Sequence, residues 1–163
     1  MKKRIKVVLI SSCSIIALVM LVIFIRRERL YPSVIEPSCV EAPNVEVTAE
    51  LQIDDKEEKI VCTVENHNSY SITCGEEYYL EIEKDGKWYE VADRRGKRTN
   101  EKDWNAIAQL FSPNKRSEFV VSLANYPELS IGNYRVVKYV FLPTTKQEND
   151  SSDIIIGLFE VKE

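Results

Sequence analysis

An all-β fold, an antiparallel β-sandwich, is what this sequence predicts for residues 45–163. Three observations point there. Apolar and polar residues alternate with a period of two through most of the segment, the mark of half-buried strands. Turn-forming clusters recur roughly every 8–15 residues, a spacing that fits short antiparallel strands. No stretch after residue 44 repeats its apolar residues at helical spacing.

Each element follows from local pattern. Val45-Glu46-Val47-Thr48-Ala49-Glu50-Leu51-Gln52-Ile53 alternates without a break and reads as a strand with one buried face. A charged turn over 54–57 leads to a second strand, in which Ile60, Cys62 and Val64 share a face. Asn66-His67-Asn68-Ser69 turns the chain, because Asn and Ser side chains bond their own backbone. Residues 70–74 are a short β-prone piece stopped by Gly75. Tyr78, Leu80 and Ile82 alternate next, with Glu77, Glu81 and Glu83 expected on the solvent side. Asp85-Gly86 is a hairpin turn into residues 87–91. Residues 92–103 read as a polar, basic loop, and 104–111 as either a strand or a short helix. Ser112-Pro113-Asn114 turns the chain again. Strands are expected over 118–123, 133–142 and 154–161, with Gly157 read as a bulge in the last.

The N-terminus carries a different signal. Residues 7–25 contain no charged side chain, with Lys2, Lys3, Arg4 and Lys6 before them and Arg26, Arg27 and Arg29 after. A bilayer core of about 30 Å needs about 20 helical residues, so this run is predicted to be one transmembrane signal-anchor helix behind a cytoplasmic tail, residues 1–6. It is longer than the core of a cleaved secretory signal, and no Ala-x-Ala pattern follows it. Ile10-Ser11-Ser12-Cys13 resembles a lipobox, yet most of the apolar core comes after it, which favours a thiol within a membrane helix. The basic residues ahead of the run place the N-terminus in the cytoplasm and the C-terminal domain outside the cell membrane. Residues 26–44, with Pro32, Pro37 and Pro43, read as an extended linker that lifts the domain from the bilayer.

Charge and side-chain chemistry exclude several function classes. Residues 30–163 hold fifteen basic and twenty-five acidic side chains, a net of −10. Such a domain is a poor partner for nucleic acid, whose affinity comes mainly from Lys and Arg. Cys62 and Cys74 can form a disulfide if residues 60–65 and 70–74 pair across their turn; equally, they fit as free buried thiols packing like small apolar residues. No Cys or His spacing suits zinc, and the Asp-rich stretches 54–55 and 150–153 lack the Gly and terminal Glu of a calcium loop. His67 sits in a polar turn with no nucleophile assigned to it. No catalytic residue, metal or cofactor is therefore expected, and the chain is not expected to be an enzyme.

Arg94, Arg95, Lys97 and Arg98 concentrate positive charge in one loop, with Trp104 close behind. They are the candidate binding surface, suited by charge to an anionic polymer such as teichoic acid or to a lipid headgroup, and the expected partner is an envelope protein or an anionic cell-wall polymer. Trp88, Tyr134 and Tyr139 are expected to pack in the sandwich. Arg135 points the other way and is expected to pair with a glutamate on a neighbouring strand.

The order of motifs resembles the bacterial immunoglobulin-like domain of membrane-anchored and lipid-anchored proteins in Gram-positive bacteria. The pieces are Thr63-Val64-Glu65-Asn66, Thr73-Cys74-Gly75, the hairpin Tyr79-Leu80-Glu81-Ile82-Glu83-Lys84-Asp85-Gly86-Lys87-Trp88-Tyr89, and Leu129-Ser130-Ile131-Gly132-Asn133-Tyr134-Arg135-Val136-Val137-Lys138. The chain departs from that pattern at Cys74, where an aromatic is common, and in the insertion over 94–102. The resemblance implies an immunoglobulin-like sandwich at the cell envelope acting as a non-catalytic binding or accessory module, and it carries over no active-site residue. The alternatives are a membrane assembly subunit acting through the small-residue side of its helix, Ser11, Ser12, Ser14 and Ala17, or an enzyme whose site is not evident in the sequence.

Overall fold

The computed structural model describes residues 29–53, 57–143 and 152–162. Among them the strands are β1 (Leu30–Pro32), β2 (Val40–Glu41), β3 (Val45–Ile53), β4 (Glu58–Asn66), β5 (Ile72–Cys74), β6 (Tyr79–Lys84), β7 (Lys87–Val91), β8 (Gln109–Phe111), β9 (Lys115–Ser122), β10 (Gly132–Phe141) and β11 (Asp153–Val161), with one 3₁₀ turn at Thr99–Glu101. The hydrogen-bonded order is β1-β7-β6-β10-β11-β3-β4-β9; β5 lies between β10 and β8, and β2 beside β11. The parallel contact of Leu158 with Thr48 joins the two halves of this path. The other long pairings are antiparallel.

The two halves face one another across one core. Ile60, Cys62 and Val64 of β4 and Phe119 and Val121 of β9 share a buried cluster with Leu80, Ile82, Tyr134 and Val136 of β6 and β10. The period-two alternation produces this directly, since every second side chain of a strand points to one face. The β6–β7 hairpin turns at Asp85 and Gly86, both with positive φ (51° and 70°), as a tight two-residue turn requires. The ambiguous stretch 104–111 resolves as irregular chain followed by the three-residue β8.

Gly157 is not a bulge. Its pairing with Val136 lies within an uninterrupted ladder from Gly132–Val161 to Val140–Asp153. What requires glycine is β3 on the other side: a Cβ at 157 would lie 3.0 Å from the Ala49 Cβ and 3.1 Å from the Val47 Cγ1. The missing side chain lets the two layers approach where β11 passes to β3.

The second difference concerns residues 30–44, expected as a linker leading away from the domain. The backbone is extended, as the prolines require, but it lies on the sandwich. β1 extends the sheet beyond β7, with Tyr31 opposite Glu90. β2 pairs with the start of β11, four strands away. The chain between them straps the outer face of the sheet, where Ile35 and Cys39 pack on Tyr79, Val137, Tyr139, Ile154 and Ile156.

A third difference lies on the same face of the sheet. Glu81, expected in solvent, is fully buried, as is Glu90 directly opposite it. Tyr139 belongs to the outer cluster rather than the sandwich interior, and Trp88 is half-buried; Tyr134 is in the core as expected. No helix among the described residues is long and apolar enough to cross a membrane. Residues 7–25, where the sequence predicts the anchor, lie outside the described residues.

Candidate functional site

The basic loop begins where β7 ends, and Asp93 organises it. The Asp93 side chain is buried, and its Oδ1 accepts the backbone N–H of Arg95 and of Lys97, each at 2.9 Å. Backbone bonds from Asp93 N–H to the Lys97 carbonyl and from Gly96 N–H to the Asp93 carbonyl close the turn. Gly96 sits at φ +84°, and a Cβ there would collide with the Arg29 guanidinium. Glycine therefore serves both the left-handed turn and the approach of Arg29.

The loop clasps β1. Tyr31 donates its hydroxyl to the Gly96 carbonyl at 3.4 Å, Arg29 donates to the Arg95 carbonyl at 3.5 Å, and Ala92 N–H donates to the Arg29 carbonyl at 2.9 Å. Arg98 is the pin of this arrangement. Its Nε donates to Glu90 Oε2 at 2.9 Å, its Nη2 to the Pro32 carbonyl at 3.3 Å, and its guanidinium lies 5.1 Å from the Tyr31 ring centroid. The other Glu90 oxygen accepts Thr99 N–H at 2.6 Å. A carboxylate this buried needs such partners, because an unpaired one would shed its charge or destabilise the fold.

The predicted binding residues therefore separate. Arg98 is occupied by Glu90 and is a structural residue. Trp104 is half-buried, packs edge-on against Tyr78 (5.1 Å between centroids) and donates its indole N–H to the Thr99 carbonyl at 2.9 Å. It closes a corner of the domain where Lys102 donates to the Tyr126 hydroxyl at 2.6 Å. Arg94 is held through Nε on the Tyr126 carbonyl at 2.7 Å, yet the residue is exposed. Arg95 and Lys97 are exposed as well, Arg95 within 3.8 Å of Asp93. Arg94, Arg95 and Lys97 are the side chains that face solvent, and the structure adds exposed Arg29 to them. Sequence spacing gives no hint of Arg29, which lies 65 residues from Arg94 and reaches the loop through the β1–β7 pairing.

Cys62 and Cys74 are free, as is Cys39. The pairing that would have faced Cys62 toward Cys74 does not form: β4 lies between β3 and β9, and β5 between β10 and β8. Both thiols are buried, with Lys138 near them. Lys138 itself is buried; its ammonium donates to the Glu76 carbonyl at 3.0 Å and lies 4.9 Å from the Phe119 ring centroid. Burial lowers the affinity of Lys138 for its proton.

Burial also pushes the Cys62 thiol up to about 12 from 9.0, against the opposing pull of Lys138. In the unfolded chain this thiol loses its proton near pH 9, whereas the fold retains it. The fold binds more protons above pH 9, so the thiol's contribution is complete below that pH and is lost as pH rises toward 12. Lys138 acts in the opposite sense, its penalty fading as pH approaches 10.5. Burial raises Tyr79 and Tyr126 too, in the same sense as Cys62. Under reducing conditions the melting temperature should hold to about pH 9 and then fall, and Cys62→Ala should flatten the fall by up to ~1.4 kcal/mol per pH unit. Equal slopes in thermal melts of both proteins would refute this assignment.

His67 is half-exposed, with Nε2 at 3.8 Å from Glu65 and 4.0 Å from Glu46. The cross-strand register sets Glu46 opposite Glu65, so the three can hold a divalent ion at the surface. All three lie open to solvent, where such clusters are common without an ion.

A crystal structure of a protein from Archaeoglobus fulgidus is similar at 15% identity, covering 72% of this chain and 91% of that one, with a TM-score of 0.33. No curated protein matches the chain. The family model of the bacterial Ig-like domain matches residues 41–153, and with most of its length inside that match the chain belongs to the bacterial Ig-like domain family.

Proposed function

We propose that this chain is a membrane-anchored, extracytoplasmic binding or accessory module of the bacterial cell envelope, without chemistry of its own. Membership of the bacterial Ig-like family supports a non-catalytic role. The observation that carries the surface reading is the division within the basic loop. Asp93 and Arg98 are spent on holding it, which leaves Arg94, Arg95 and Lys97 presented to solvent on a rigid frame. Rigid presentation lowers the ordering cost of binding, and an envelope protein or an anionic wall polymer fits that charge. The apolar run 7–25 supports the location.

Cross-linking of the full-length protein in its native membrane tests this, beside a version whose residues 1–25 are replaced by an unrelated anchor. A specific partner captured by both versions supports recognition by the sandwich. A partner lost with the foreign anchor overturns it in favour of assembly through the membrane helix.

A further inference from the structure

We infer that the Arg29–Arg94–Arg95–Lys97 surface docks the domain onto anionic lipid headgroups of the membrane that anchors it; this rests on the membrane reading above. The argument begins with reach. Between Ile25, the last residue of the apolar run, and Leu30, the first of β1, lie four residues. Five Cα steps span at most about 18 Å even when fully extended. Because residues 30–44 lie on the sandwich rather than forming a spacer, no further length separates the two. The edge carrying β1 is therefore held within about 18 Å of the bilayer surface.

The charge lies at that edge. Gly96, between Arg95 and Lys97, is in contact range of the Arg29 side chain, and Tyr31 and Ala92 bond across the same seam. Arg26 and Arg27 adjoin it in sequence. Residues 30–163 otherwise carry a large acidic excess, so an anionic surface repels the rest of the domain and attracts this edge. The field of an anionic leaflet falls off over about 10 Å at 0.1 M salt, so a tether of at most about 18 Å keeps these side chains within two decay lengths of the surface, and only a shorter approach brings them into its full attraction. A wall polymer has no such geometric tie to the edge where the chain enters, which is why lipid is the occupant favoured here.

Full-length protein in vesicles tests the proposal, using a headgroup-photoactivatable phosphatidylglycerol at about 30 mol % and mass-spectrometric mapping of labelled peptides. Label is expected on the peptide covering 92–103 and not on β3 or β4. Each Lys or Arg near an anionic surface is worth about a five-fold change in occupancy. Arg95→Glu with Lys97→Glu, which keeps the anchoring contacts of Arg94 and Arg98, should therefore lower that label at least ten-fold at an unchanged melting temperature. About 0.5 M salt should do the same to the wild type. If the protein resists carbonate extraction but the peptide is labelled no more than β4, or the charge reversals change nothing, docking is overturned while the anchor stands. If carbonate releases the protein, both readings fall.

Discussion

A fragment beginning at Val45 should melt at least 15 °C below one beginning at Arg29, although the first contains every strand that the sequence pattern announces. The residues removed are β1, the strap over 33–39, and β2. Their loss uncovers Tyr79, Val137 and Ile154, each at most 7% exposed in the intact fold, from beneath Ile35 and Cys39. Burying one large apolar side chain is worth about 1.5–3 kcal/mol. Arg98 also loses the Tyr31 ring and the Pro32 carbonyl, so the cation that compensates buried Glu90 is left loosely held. The backbone bond from Ala42 N–H to the Ile154 carbonyl at 2.8 Å, and the Asn68 contacts with Pro43 and Asn44, go as well. Together these should remove about 4–8 kcal/mol, a large part of the 5–15 kcal/mol that holds a typical domain folded. At about 4 °C per kcal/mol for a domain of this size, the shift is easily read in thermal melts. Equal melting temperatures for the two fragments would show that the strap lies on the sheet without supporting it. The family match starts at residue 41, so a boundary drawn from it omits the strap as well.

Strands whose two faces differ in polarity were legible from the chain. β3, β6 and β7 fall where alternation and the Asp85-Gly86 turn put them, because those signals report the pleat and the turn dihedrals themselves. β1 and β2 were not legible. Three and two residues long, beside prolines, they have no room for a period, and only the docking of Ile35 and Cys39 makes them edges. Glu81 and Glu90 were misjudged or passed over for a related reason. A glutamate in an alternating strand has the same pattern whether its face meets water or a strap. The chain does carry a signal: both charges lie in strands beside Tyr79 and Trp88, aromatics unusual on a wet face. The basic loop was legible as charge but not as architecture. Arg98 is bound to a buried partner eight residues earlier, and Arg29, which completes the surface, belongs to a segment read as a linker. The pairing of Arg135 with a glutamate was anticipated, because adjacent strands bring cross-strand neighbours together.

Arg135→Met should be the most damaging single substitution on the outer face. Arg135 donates both Nε (2.7 Å) and Nη2 (2.6 Å) to the same oxygen, Oε2 of Glu81, and its guanidinium lies 4.4 Å from the Trp88 ring centroid. Glu81 is 0% exposed and Arg135 only 14%, so removing the arginine strands a carboxylate in a site with little water. Breaking a buried pair in this way costs about 3–5 kcal/mol, or a fall of more than 10 °C here. Arg135→Lys should recover only part of it, because an ammonium cannot lie flat on Trp88 while holding Glu81 Oε2 through two N–H groups. The informative variant is the double one. Glu81 Oε1 is buried with no hydrogen-bond partner among the described residues, so even the intact pair leaves a desolvated polar atom there. Glu81→Met with Arg135→Met removes that desolvated oxygen together with the charges, and it should restore the melting temperature to the wild-type value or above. A double variant no more stable than Arg135→Met would instead mean that the pair adds real stability beyond its own desolvation. A single variant costing under about 1 kcal/mol would mean that the carboxylate reaches water once the arginine is gone, as in exposed pairs. Both results are read from the same set of melts, and together they separate the attraction within the ion pair from the cost of burying it.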